Sequence, residues 1–232
     1  MLEFVLTMSS RIKIDGTYNQ YTITMLEGMK INDFSFDLRP KSFNFVQEYI
    51  LLGIIKEVFR PWNRYYFHFE NEKEYVIEKI LNDVKETAGK TDSAINPVEN
   101  IFLEFSDGLT AEYYESFKTP YVFHLDERHR LEDFLASKYL KAINLSYSYL
   151  HHLHQCGKLG EFAGSFFKQI KRLEQLSKIE VILSLDWNED IFPSLFHYFQ
   201  FNVISLPLNH KVELSYRNLD YELLKKYMKG ML

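Results

Sequence analysis

Two aspartates stand where chemistry is easily housed. Asp126 follows the strand-like run Pro120-Tyr-Val-Phe-His-Leu125, and Asp186 follows Ile179-Glu-Val-Ile-Leu-Ser-Leu185. In open α/β sheets, ligands settle beyond the carboxyl ends of the strands. Mg²⁺ takes one or two carboxylates there and completes its shell with water and substrate phosphates. A site built from Asp126, Asp186 and Glu189, with Glu127 and Asp190 nearby, would support phosphoryl transfer or phosphodiester cleavage by neutralising charge. Aspartate is also a preferred helix cap, and Asp126 and Asp190 each precede an expected helix, so a structural reading competes.

Other patterns carry less chemistry. Ala88-Gly-Lys-Thr91 looks like the tail of a phosphate-binding loop, but Val84 holds the place of its first glycine, and a helix precedes where a strand is needed. His151, His152 and His154 cluster near the single Cys156, at a spacing that matches no zinc pattern. His124 and His129 flank Asp126 and Glu127, where acid–base work is conceivable without any accompanying nucleophile motif. G-x-S-x-G, H-E-x-x-H and G-x-G-x-x-G are all absent.

Charge suggests a different use. The 232 residues carry a net −5, but from Glu70 to Glu115 twelve acidic residues face four basic ones. Such a stretch favours a basic or mixed-charge protein partner and disfavours broad contact with nucleic acid. The nearest base-stacking pattern, Arg60-Pro-Trp-Asn-Arg-Tyr-Tyr-Phe-His68, runs straight into it. The leading expectation is therefore a non-catalytic, intracellular protein-binding or regulatory protein of immunity or inhibitor type. It would dock through an acidic surface over residues 70–115, with Glu72, Glu74, Glu78 and Asp83 as contacts. No cofactor is expected on that reading. The alternative is an Mg²⁺-dependent nucleotide-binding, phosphoryl-transfer or nuclease-type enzyme. Pairing of the chain with copies of itself is a third possibility.

The bulk numbers set the frame. At 46% hydrophobic and 25% charged, the composition is that of an ordinary globular chain. The longest apolar run, Tyr49 to Ile55, is far short of the roughly 18 to 20 residues of a membrane span. The start, whether Met1 or Met8, lacks the marks of a signal peptide, and one cysteine suits a reducing, cytoplasmic setting.

The elements that would position these residues read as mixed. Arg11-Ile-Lys-Ile-Asp15 and Gln20-Tyr-Thr-Ile-Thr-Met25 alternate around Gly16-Thr-Tyr-Asn19, which predicts a hairpin. Asp33 to Leu38 is a third strand. Ser42 caps a helix over 43–59, and Tyr65 to Phe69 is a strand. An Asn71/Glu74 capping pair opens a helix with Val76, Ile77, Ile80, Leu81 and Val84 on one face. A loop over 87–97 follows, then a strand over 100–105, a short helix over 110–117 and a strand over 120–125. A long helical stretch over 127–155, with a possible break near Ser146 and ended by Gly157 and Gly160, is followed by an amphipathic helix over 161–176. Strand 179–185, helix 191–199, strand 202–207, strand 212–216 and helix 219–228 complete the chain. The expected fold is α/β (mixed α+β). A mostly parallel central sheet with covering helices fills the C-terminal part, and an antiparallel hairpin extends the N-terminus. One domain spans 1–232, with 87–97 as the only candidate linker between 1–90 and 98–232.

Overall fold

The computed structural model describes residues 10–91, 97–134, 136–173 and 178–229. Eight strands run β1 (Arg11–Asp15), β2 (Asp33–Asp37), β3 (Arg64–Phe69), β4 (Ile101–Phe105), β5 (Tyr121–Leu125), β6 (Leu140–Ser146), β7 (Glu180–Ser184) and β8 (Val203–Pro207). They pair in sequence order and in parallel, and β8 pairs back with β1 through Arg11↔Val203 to Asp15↔Pro207, so the sheet is a closed barrel. The connecting helices are α1 (Gln20–Gly28), α2 (Glu48–Val58), α3 (Glu74–Thr91), α4 (Ala111–Ser116), α5 (Tyr147–Gln155), α6 (Leu159–Leu173), α7 (Leu195–Tyr198) and α8 (Tyr221–Lys229). A two-stranded ribbon, β9 (Glu213–Ser215) with β10 (Asn218–Leu219), lies between β8 and α8. This is the (β/α)₈ architecture.

Strand alternation builds the barrel from two sides. Outward side chains such as Ile14, Phe36, Phe67, Leu103 and Leu145 join the main core under the helices. Inward ones fill the lumen: Tyr66, Phe102, Val122, Ala142, Ile182 and Val203 form a separate apolar cluster. An ionic cluster closes the N-terminal end. Arg11 reaches Asp33 at 3.2 Å and Glu180 at 2.7 Å, Arg64 reaches Glu180 at 3.1 Å, and the Tyr66 hydroxyl donates to Asp33 at 2.9 Å.

Local signals explain several boundaries. Thr110 Oγ1 and Ser146 Oγ accept from the third residue beyond, which starts α4 and α5. Gly157, at φ +69, ends α5 as expected.

The fold expectation is corrected: the sheet is a closed eight-stranded parallel barrel, not a central open sheet with an N-terminal hairpin. Residues 20–25 lie in α1, because Asn19 Oδ1 accepts the Thr22 amide at 2.8 Å and Ile23 and Leu26 bury at helical spacing. Ser42 caps no helix; its hydroxyl donates to Asp37, and α2 starts at Glu48. The long helix over 127–155 contains β6, which pairs with β5 and β7. The candidate linker begins inside α3, and residues 92–96 lie outside the described residues, as does the N-terminal run to 9. Among the described residues, no helix is long and apolar enough to cross a membrane.

Candidate functional site

The strand register lifts polar side chains into the upper lumen. Lys13 and Asp15 come from β1, Ser35 and Asp37 from β2, His68 from β3, Glu104 from β4 and His124 from β5. Asn144, Ser184 and Ser205 come from β6, β7 and β8. In this architecture catalytic groups sit at the C-terminal ends of the strands. Here a cavity of about 570 Å³ opens at that end, lined by Asp15, Ser35, Asp37, Arg39, Phe43, His68, His124, Asn209 and His210, among others.

Lys13 anchors the site. It is fully buried, bonded to Asp15, to both carboxylate oxygens of Glu104 at 2.9 Å and to Ser205 Oγ at 3.2 Å. Glu104, also fully buried, accepts from Ser35 Oγ at 3.0 Å and lies 2.7 Å from His124 Nε2. His124 Nε2 is 3.2 Å from Asn144 Nδ2, and Asn144 Oδ1 accepts from Ser184 Oγ at 2.7 Å. The His68 and His124 rings stack with centroids 4.9 Å apart.

The two carboxylates are driven apart. Burial pushes Glu104 up, but the Lys13 ammonium and the hydrogen bond to His124 outweigh it and hold the carboxyl well below its usual range. Burial also pushes Asp15 up, and there Lys13 does not win, so Asp15 stays raised. Burial lowers His68 to about 3, so its ring is neutral near pH 7. Asp37 is held low despite its burial, by Arg39 and by the Ser42 hydroxyl.

Gly16 lets the chain turn over this site. Its φ is +76, and a Cβ there would stand 2.5 Å from Asn44 Nδ2, which donates to Leu208 O at 2.5 Å. The loop after β2 is thereby tied to the loop after β8.

The residues singled out in the sequence lie elsewhere. Asp126 and Asp186 do sit at strand ends, but at β5 and β7 with β6 between them, and neither lines the cavity. Asp126 accepts from Arg128 Nε at 2.8 Å and lies 3.0 Å from His129 Nδ1. Asp186 binds Lys211 at 2.6 Å and Asn209 Nδ2 at 2.8 Å, while Glu189 accepts the Asp186 amide at 2.7 Å. Among the described residues, the one trio of His, Cys, Asp or Glu whose ligand atoms lie within 4.8 Å of one another is His68, Glu104 and His124.

The acidic stretch does not form one face. Glu104 and Asp107 are buried; Asp107 accepts the Asn71 amide at 2.9 Å and the Tyr114 hydroxyl at 2.5 Å. Glu115 accepts the amides of Lys138 and Tyr139 at 3.1 and 3.0 Å. Glu72 accepts the Glu70 amide, and Asp83 is paired with Lys79 at 3.0 Å. Of the expected contacts only Glu74 and Glu78 stand exposed.

The fold has solved counterparts. It is similar to phosphoribosylanthranilate isomerase from Thermotoga maritima, at 14% identity and a TM-score of 0.64 over 95% of this chain and 98% of that one. It is similar to the isomerase in complex with reduced 1-(o-carboxyphenylamino)-1-deoxyribulose 5-phosphate, at 15% identity and a TM-score of 0.65 over 95% and 97%. It is also similar to TrpF from Jonesia denitrificans, at 8% identity and a TM-score of 0.64 over 96% of each chain. No protein-family model and no curated protein matches the sequence. The expectation of a non-catalytic regulatory protein with an acidic docking surface is corrected: the chain has the fold of these enzymes, and its acidic stretch is divided. Asp126, Asp186 and Glu189, the carboxylates of the Mg²⁺-dependent alternative, are each bonded to local partners of their own.

Proposed function

We propose that the protein is an enzyme that moves a proton on a small polar molecule held in the barrel mouth, an isomerase- or lyase-type reaction with Asp15 as general acid–base. One observation carries this reading. Asp15 lines the cavity with its proton affinity raised, while Glu104, bound to the same ammonium, is kept ionised. Pairs of titratable groups driven apart in this way mark acid–base roles.

The chemistry follows from the contacts. Ionised Asp15 takes a proton from a substrate carbon or hydroxyl and returns it to a neighbouring atom. Lys13 and Ser205, which donates to Asp15 Oδ2 at 2.6 Å, hold the carboxylate in place through both states. Lys13 stays charged: burial opposes the charge, but Asp15 and Glu104 outweigh it. It is a positioning residue, since it does not line the cavity. Arg39, paired with Asp37, and His210 offer N–H donors to a polar substrate at the mouth. The likeness to phosphoribosylanthranilate isomerase is consistent with such chemistry and makes that reaction the first to assay. We also propose a cytoplasmic setting; the single Cys156 is exposed and free.

The test uses phosphoribosylanthranilate and a panel of keto acids and sugar phosphates in D₂O, with solvent deuterium incorporation followed by NMR. The wild type exchanges at least one substrate. Asp15→Asn loses about 10²- to 10⁴-fold, the range of a lost general acid–base. Asp15→Glu retains part of the rate with a displaced pH profile. Full exchange activity in a folded Asp15→Asn protein overturns the assignment.

A further inference from the structure

We infer that His68, Glu104 and His124 form a binding site for one divalent transition-metal ion, with its open positions facing the cavity. This goes beyond the proton-transfer reading and does not depend on it.

Three successive strands deliver the ligands. His68 and Glu104 are register partners across β3 and β4, and His124 follows on β5. Their ligand atoms already lie within 4.8 Å of one another. With bonds of about 2.0 to 2.2 Å to nitrogen and oxygen, ligand atoms around a tetrahedral ion stand roughly 3.5 Å apart, so small side-chain rotations close the site. Two imidazoles and one carboxylate are the donor set of catalytic zinc sites and of non-haem iron sites.

The surroundings are built as outer support. Ser106 Oγ lies 2.9 Å from His68 Nε2 and Ser35 donates to Glu104, while Asn144 Nδ2 shares His124 Nε2 with Glu104 and gives way to an ion there. Such partners fix the orientation of metal ligands. Both histidines line the cavity, which leaves the remaining coordination positions to water or substrate. The charged groups facing the trio are Lys13, Asp15, Asp37 and Arg39. Lys13 and Arg39 oppose a cation, and Arg39 is itself paired with Asp37 at 2.6 Å. Lys13 approaches Glu104 beside Asp15 and does not line the cavity, so it weakens binding without occupying the open side.

The test is direct binding of Co²⁺ and Zn²⁺ to the chelator-treated full chain, followed by calorimetry and by cobalt visible absorption. The background carries His152→Ala and Cys156→Ser, because that exposed pair, 3.8 Å apart, offers a surface site. One ion per chain is expected, with affinity falling at least about 10- to 100-fold in His68→Gln and in His124→Gln. Asp15→Asn retains the ion whatever its activity, which separates this inference from the proton-transfer reading. Should the histidine variants not fold, the cobalt-loaded background protein is read by NMR. Hyperfine-shifted ring N–H signals from two histidines then support the site. Absence of stoichiometric binding at millimolar metal, binding unchanged in both histidine variants, or absence of shifted ring signals overturns it.

Discussion

Asp15 and Glu104 share one ammonium, and what differs is the company each keeps. Glu104 has His124 and the Ser35 hydroxyl in addition to Lys13, whereas Asp15 has Ser205 and an open cavity. Removing the better-supported partner leaves Lys13 buried with less compensation. Glu104→Gln is therefore expected to cost about 3 kcal/mol, the lower end for breaking a buried pair because Asp15 remains. Lys13→Met with Glu104→Gln is expected to recover part of that loss. Urea unfolding of the single and double variants decides it; a double variant weaker than Glu104→Gln alone contradicts the account. Little of this site was legible beforehand. Arg11-Ile-Lys-Ile-Asp15 alternates as a half-exposed strand does, and a sequence does not say whether its polar face meets water or a lumen. By the same reasoning Glu104 reads as a surface charge in the sequence. His124 stands out beside Asp126, its neighbour in sequence, whereas the fold sets it beside Glu104 on the adjoining strand. The usable signal was the recurrence of a polar side chain near the end of successive short strands.

At the scale of elements, the ionic cluster at the strand starts has its own pH signature. Burial pushes Glu180 up, but the Arg11 hydrogen bond and the charges of Arg11 and Arg64 outweigh it, so the carboxyl is lowered from 4.5. A carboxyl depressed by folding contributes stability above its unfolded value and loses it as the pH falls through its folded one. Glu180→Gln is expected to cost about 1 to 2 kcal/mol near pH 7, discounted because Arg11 and Arg64 are each about a third exposed, and to show a shallower acid limb. Thermal unfolding between pH 3 and 7 tests this; parallel curves for variant and wild type refute it. Seven of the eight barrel strands were legible, because Val, Ile, Phe and Tyr mark them. β6 was lost because Leu140-Lys-Ala-Ile-Asn-Leu-Ser146 carries helix-tolerant residues and abuts the genuine helix α5. α1 was misread because three alternating pairs, Gln-Tyr, Thr-Ile and Thr-Met, mimic a period of two while Ile23 and Leu26 supply the helical one. One strand missed and one invented turned eight repeating β/α units into a hairpin plus an open sheet.

For the whole molecule, closure is the decisive event, since β8 seals the sheet only by pairing with β1 through five residues. A chain ending at residue 199 keeps seven strands but leaves both β1 and β7 as bare edges, the kind that recruit other chains. It is expected to aggregate, with native circular dichroism lost; a monodisperse truncated protein on size exclusion, with native ellipticity, argues against closure as the cooperative step. The plug of apolar side chains and the Arg11–Asp33–Arg64–Glu180 stopper beneath it have a kinetic corollary. With the floor sealed, entry and exit share a single doorway at Asp15. Whatever leaves after turnover must clear that doorway before the next molecule comes in, so spent product and fresh reactant compete for the same space by construction.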